Sequence, residues 1–502
     1  MLAGIDYFIV IAYIVGMLLL GLYFKKFVNS SEDYFLGGKS LPFWAIGMSI
    51  VVSDIGALDF VGVSGQAYRY GVSVGNFDWV GSVPAMILAA FIFIPYFWRG
   101  GMYTIPEYLG RRYNKSVRTI ASVTWILFFA LDLGVLFWAS AVLLNVLMGW
   151  PIWISILSTA GVVGLYTYFG GITAVIMTDV VQMIIMFTGG FALVYLSLDA
   201  VGGWENMVEK IGNMGPEYRS HFDIIQPSDT KSPFPWTGIL FGLTFVMANA
   251  YMIGNQSIVQ RCLTAKNEWH AKASMIFGSA LKMFVPILVL FPGLMAVVVH
   301  PELADGDQAL PMMIKSILPP GLVGLMFAAF FAGLMSSVDS LLNSTATLFT
   351  KDIYEPYIKK DATDKHYLKV GQITTLVLLI IGVVTSPISS DFPGIYVAIQ
   401  TFMSYFQGPL FAILLLGIFW KRTTEWGGLS ALVVGIGFAI FLNVFKNQFF
   451  TIEDPFLYIS WWSFLLAFII NITVSLMTKK HSEESLKGLV FSSKILTQNK
   501  TL

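Results

Sequence analysis

The sequence predicts an all-α polytopic membrane protein with about thirteen transmembrane helices. Three observations carry that prediction: too few charges for a water-facing surface, apolar runs of spanning length from end to end, and basic residues gathered on one side of those runs. Of 502 residues, 56% are apolar and 12% charged, against about 25% charged in an ordinary soluble domain. A hydrocarbon core about 30 Å thick needs roughly 20 apolar residues in a helix. Runs of that size lie at 5–24, 43–66, 76–98, 119–148, 152–168, 173–197, 236–258, 271–299, 321–349, 367–387, 394–418, 425–445 and 457–477, numbered here as spans 1 to 13.

Span 1 has no basic leader and is followed at once by Lys25 and Lys26, the pattern of a retained helix rather than a cleaved signal, with the N-terminus outside. The remaining bases then alternate regularly onto the cytoplasmic side: Lys39, the group Arg99/Arg111/Arg112/Lys115/Arg118, Arg261/Lys266/Lys272, Lys351/Lys359/Lys360, Lys421/Arg422 and Lys479/Lys480. The opposite loops are short or carry acids such as Glu302, Asp305 and Asp307. This bias predicts a multi-pass protein of the plasma (cell inner) membrane with a cytoplasmic C-terminus. Residues 1–480 read as a single transport domain and 481–502 as a cytoplasmic tail, too short for a fused signalling module.

Two spans carry polar interruptions. Span 2 contains Ser53-Asp54-Ile55-Gly56-Ala57-Leu58-Asp59, and span 7 contains Ala248-Asn249-Ala250-Tyr251 followed by Gly254-Asn255-Gln256. Their separation by five spans, in opposite orientation, is the signature of inverted repeats over about 43–197 and 236–418, whose unwound segments hold solutes and ions at mid-membrane. Two helices merely kinked by small residues give the same pattern.

Composition also excludes classes. Net charge is zero with no basic tract, so no nucleic-acid partner is expected. A single cysteine, Cys262, allows neither an intramolecular disulfide nor a cysteine metal cluster. No nucleophile triad, phosphate loop or metal-ligand spacing supports an enzyme, and no cofactor is expected.

Ionisable groups inside the hydrocarbon cost about 2.5–3.5 kcal/mol each on insertion scales, so they face cavities or partners. Here they are Asp54, Asp59, Asp78, Asp132, Asp179 and Asp339, with Lys282 as the deep base. The acidic surplus calls for bound cations, protonation or water. Span 9 places Ser336, Asp339, Ser340 and Asn343 along one face, with Ser337 on its flank. Such oxygens suit a hard cation, and serines in membrane helices also bond their own backbone or a neighbour.

Several stretches resemble the sodium/solute symporter family, and within it the bacterial sodium/sugar branch: Asp33-Tyr-Phe-Leu-Gly-Gly-Lys-Ser-Leu-Pro-Phe-Trp44, Tyr103-Thr-Ile-Pro-Glu-Tyr108, Gly170 through Gln182, Met335-Ser-Ser337, Leu342 through Tyr354 and Gly417-Ile-Phe-Trp-Lys421. The resemblance spans nearly the whole chain. It implies a leucine-transporter-type 5+5 inverted repeat with discontinuous helices, and alternating access driven by a Na⁺ gradient. It also implies a first sodium site from the carbonyls of Val52, Ile55 and Gly333 with the hydroxyls of Ser336 and Ser337. A second cation site or ion path would involve Asp179, Asp339, Ser340 and Asp54. The solute set would be Asp78, Lys282, Tyr251 and Gln400, with Asp59, Tyr396 and Phe77.

This chain departs from the sugar-branch pattern where Asp54 and Asp59 replace neutral polar groups, Gly81 a serine, Ala248 an asparagine and Met252 a tryptophan. The resemblance therefore implies Na⁺-coupled import of a small polar solute, a sugar or polyol first and an amino acid or other zwitterionic or cationic solute as the alternative. A membrane sensor or passive uniporter on the same fold is the reading from another class.

Overall fold

A computed structural model describes residues 3–26, 30–56, 58–391 and 394–491; Ala57 of the span 2 interruption and 492–502 of the tail lie outside the described residues. The chain is helical throughout, and among the described residues only two isolated β-bridges occur, Leu41 with Ala265 and Gln226 with Pro235. Nine helices in that set are long and apolar enough to cross a bilayer, or eleven if each of two bent pairs is one span. Against the thirteen expected from hydropathy, spans 2 and 5 rest on the shorter helices Phe43–Asp54 and Ile152–Gly161.

The breaks have local causes. Phe43–Asp54 ends because the Gly56 N–H is taken by the Asp59 carboxylate at 3.1 Å and the Asp59 N–H by the Gly56 carbonyl at 3.1 Å. Span 7 bends by 48° between Gly238–Gly254 and Gln256–Leu263. The bend follows from extended backbone at Asn255, whose Oδ1 accepts the Ser257 N–H and hydroxyl, both at 2.9 Å, and so caps the second helix. Spans 5 and 6 are joined through Gly171, at φ 61° and ψ 179°, a conformation that a residue with a Cβ strongly resists. Span 11 is also broken, by 44°, between Ile395–Ser404 and Gln407–Phe419, where Gly408-Pro409 lies in the first turn of the second helix; the break was not among those expected.

Span 9, Leu322–Leu348, is the central helix: its apolar window is 83% buried, against 22% for span 1. It packs on spans 6, 1, 10 and 4 and on Phe43–Asp54. Polar groups on it are therefore shielded from lipid and need protein or ion partners. Its N-terminus has no cap of its own; Asp6 of span 1, 1% exposed, accepts the N–H groups of Gly321 at 2.7 Å and Gly324 at 2.8 Å.

At one end of the bundle, the loop between spans 8 and 9 carries the helix Ala309–Ile317 and lies against span 2. There Asp307 accepts the Ile395 N–H at the start of span 11, at 2.9 Å, and a Cβ on Gly65 would sit 2.5 Å from its carboxylate. Burial and neighbouring Asp305 push Asp307 up to about 7.

Candidate functional site

The interruption in span 2 frees backbone that a continuous helix would use. With the Gly56 and Asp59 N–H groups engaged elsewhere, the carbonyls of Val52 and Ile55 are released from helical pairing. Span 9 meets this segment with its smallest face: a Cβ added at Gly333 would lie 2.9 Å from the Ile55 carbonyl oxygen. Ser337 donates to the Ser53 carbonyl at 3.0 Å, and the Ser336 and Ser53 hydroxyls are 2.7 Å apart. The five residues expected at the first sodium site thus come from the same junction of spans 2 and 9. Hydroxyls and carbonyls in this arrangement suit a hard monovalent cation.

A cavity of about 100 Å³ opens on the other side of the unwound segment. It is lined by all seven expected solute residues, Asp59, Phe77, Asp78, Tyr251, Lys282, Tyr396 and Gln400. Lys282 sits between two carboxylates, paired with Asp54 and, at 2.9 Å, with Asp78. Phe77 and Tyr396 form an edge-to-face pair with centroids 5.3 Å apart. An aromatic wall facing acids, an ammonium and an amide can hold a hydroxylated ring from face and rim. Gln407, in the second half of broken span 11, lines the same cavity; neither end of its buried amide has a hydrogen-bond partner among the described residues. Sequence reading missed it, although Gly408-Pro409, directly after it in the first turn of the second half-helix, is a breaker signal that could have marked the break.

A second, smaller cavity of about 50 Å³ adjoins the first. Asp54, Asp59 and Tyr251 line both, and the smaller one also reaches Asp132, Ser337 and Ser340. The junction of spans 2 and 9 and the larger cavity therefore share one wall, the unwound stretch of span 2.

The set expected at a second cation site is divided. Asp54 faces Lys282 and the solute cavity, not Asp179. Asp179 lies 0% exposed beside Phe43–Asp54, accepting from Ser53 at 3.2 Å and from Ser49 at 2.5 Å. Asp339, also 0% exposed, is an electrostatic neighbour of Tyr13 in span 1. Ser340 faces Arg261. Arg261 and Arg112, two of the bases expected on the cytoplasmic side, have side chains buried in protein. Arg112 donates to the Gly417 carbonyl at 2.8 Å and the Trp420 carbonyl at 3.0 Å, closing the C-terminus of span 11. Arg261 enters the Asp179 cluster because the 48° bend after Gly254 turns its helix toward spans 2 and 9.

With this geometry in place, comparison with known proteins is consistent over the whole chain. The model of the sodium:solute symporter family matches residues 34–435. The sodium/glucose cotransporter of Vibrio parahaemolyticus is 33% identical over 525 residues, covering 100% of this chain and 95% of its own. The sodium/myo-inositol cotransporter 2 of Oryctolagus cuniculus is 32% identical, covering 86% and 68%. Among solved structures, the substrate-bound outward-open state of a Na⁺-coupled sialic acid symporter superposes with a TM-score of 0.83 at 23% identity, covering 96% of this chain and 99% of that one. Mhp1, a nucleobase-cation-symport-1 family transporter, superposes at 0.60 with 14% identity, over 92% and 99%. These neighbours share the leucine-transporter-type fold. The chain belongs to the sodium:solute symporter family, as a multi-pass membrane transporter that uses Na⁺ as its coupling ion and is not an enzyme.

Proposed function

We propose that this symporter imports a sugar or polyol by alternating access, with Na⁺ held at the junction of spans 2 and 9 and the solute in the adjoining cavity. The observation that carries the reading is the shared wall: Asp54 and Asp59 line both cavities, while Ser337 lines the smaller one and meets the unwound segment. Filling one compartment shifts the backbone that forms the other, which is what coupling requires. The first sodium site comprises Val52, Ile55, Gly333, Ser336 and Ser337, and the solute set comprises Asp78, Gln400, Lys282, Tyr251, Asp59, Tyr396 and Phe77. Relatives named for glucose and myo-inositol support a hydroxylated solute. In this reading the protein lies in the cell inner membrane as one domain over 1–480, with repeats at 43–197 and 236–418, its N-terminus outside and its C-terminus cytoplasmic.

A second reading has its own support. Three carboxylates, Asp54, Asp59 and Asp78, line the solute cavity against one ammonium, Lys282. A buried acidic surplus favours a solute that brings positive charge. Competition against one labelled hexose or polyol in proteoliposomes, under an inward Na⁺ gradient, separates the two. Neutral sugars and polyols are expected to compete, whereas competition by amino acids or amines alone would move the assignment to the second class.

A further inference from the structure

Span 11 lines the larger cavity from both of its halves. Tyr396, Ile399, Gln400 and Met403 contribute from the first half and Gln407 from the second. The break decides where the last of these begins. The N–H groups of Tyr405 and Phe406 donate to the carbonyls of Phe402 and Met403, both at 3.3 Å, as 3₁₀-type bonds that close the first half. The second half then starts at Gln407 itself, seven positions after Gln400 and on the same cavity.

Gln407 is 1% exposed, and neither Nε2 nor Oε1 has a hydrogen-bond partner among the described residues. Other polar groups on this cavity are engaged: Lys282 is held by Asp54 and Asp78, and Asp59 accepts the Gly56 N–H. Gln407 also borders a second pocket, walled by Ile105, Leu109, Leu410, Phe411 and Leu414, whose side chains offer the amide no donor or acceptor. A buried amide that makes neither of its bonds is costly, and the cost is relieved when a group able to donate and accept enters the cavity.

The amide presents a donor and an acceptor side by side in one plane and carries no charge. Its complement is a pair of neighbouring neutral groups that each donate and accept, as two hydroxyls on adjacent carbons do. An ammonium ion offers no acceptor and a carboxylate no donor, so either alone satisfies half of it. We propose that Gln407 is a solute-binding residue that takes two adjacent hydroxyls of the solute, Nε2 donating to one and Oε1 accepting from the other, and so selects vicinal diols. The assignment rests on the reading of the larger cavity as the compartment for a sugar or polyol.

The test is uptake of labelled D-glucose, D-galactose and myo-inositol into proteoliposomes under an inward Na⁺ gradient, with competition by the monodeoxy analogues of each, for wild type and Gln407→Met. Methionine keeps the length of the side chain and removes both polar atoms. The variant is expected to raise the half-saturation constant of the transported parent roughly 10- to 100-fold, as the loss of two neutral hydrogen bonds does. Its thermal stability in detergent without solute is expected to equal or exceed that of wild type, because the amide has no protein partner to lose. Wild type is expected to bind the analogues lacking either of two adjacent hydroxyls roughly tenfold more weakly than the parent, and Gln407→Met to bind those two and the parent alike. If Gln407→Met does not reach the bilayer, Gln407→Asn, which draws the amide back by one methylene, is read in the same way. An unchanged half-saturation constant, as for an amide satisfied by water, overturns the proposal, and so does a weakening shared equally by the parent and every analogue. A wild type that carries none of the three parents removes the sugar or polyol reading itself, and the assignment falls with it.

Discussion

Ser337→Ala is expected to lower apparent Na⁺ affinity by roughly 10- to 100-fold while leaving solute affinity at saturating Na⁺ near wild type. The hydroxyl lies at the meeting of spans 2 and 9, 3.0 Å from the Ser53 carbonyl and beside the freed carbonyls of Val52 and Ile55. Removing one oxygen that faces a desolvated ion loses about 1.5–3 kcal/mol, and each 1.4 kcal/mol is tenfold in affinity. Ser337 is 6% exposed, so water does not readily replace the lost oxygen. The alanine is smaller than the serine and creates no clash, so the helix should fold unchanged. Na⁺ titrations of uptake for wild type and variant measure the effect, and equal half-saturation constants would remove Ser337 from the ion site.

Lys282→Met is expected to abolish transport and to destabilise the protein by about 3–5 kcal/mol, the usual consequence of removing one member of a buried ion pair. Lys282 is 4% exposed and is held between Asp54 and Asp78, so its loss leaves two carboxylates facing each other and Asp59 across a cavity of about 100 Å³. Methionine fills most of the lysine stem's volume, which confines the change to the charge. The triple variant Lys282→Met with Asp54→Asn and Asp78→Asn should recover thermal stability without recovering uptake. Thermal unfolding in detergent together with proteoliposome uptake measures both. Full uptake by the single variant would show that the ammonium neither contacts the solute nor organises its acids.

Much of this was legible in the sequence because it is local. Apolar length marks the spans, and the polar interruptions at 53–59 and 254–256 mark both of the breaks that were expected. The serines of span 9 are readable from their three- and four-residue spacing, since a helix fixes which side chains share a face. What was not legible depends on the bend angles and on long-range pairing. Arg261 follows the Asn255 break by six positions, and hydropathy assigns such a base to the cytoplasmic surface. Only the 48° turn reveals that it points to Asp179, 82 residues away in sequence. Asp54 pairs with Lys282, from a helix 228 residues later, a long-range contact that no local spacing announces. Gln407 was missed although the adjacent Gly408-Pro409 pair marks the 44° break of span 11, because the pair sits inside an otherwise continuous apolar run.

Asp6 illustrates the same division. From sequence it is an acid in the first turn of span 1, a favourable place beside a helix N-terminus. In the fold its carboxylate also closes the N-terminus of span 9, 315 residues away, and so braces the helix that carries Ser336 and Ser337.

The central claim is that movement of the solute and movement of Na⁺ are one event. The most direct measurement is the flux of ²²Na⁺ into proteoliposomes at equal Na⁺ concentration on both sides, with and without an inward gradient of the transported solute. The account predicts that the solute gradient drives net ²²Na⁺ entry in wild type and that Ser337→Ala sharply reduces this entry at low Na⁺. Solute entering at the wild-type rate with no accompanying ²²Na⁺ would contradict it.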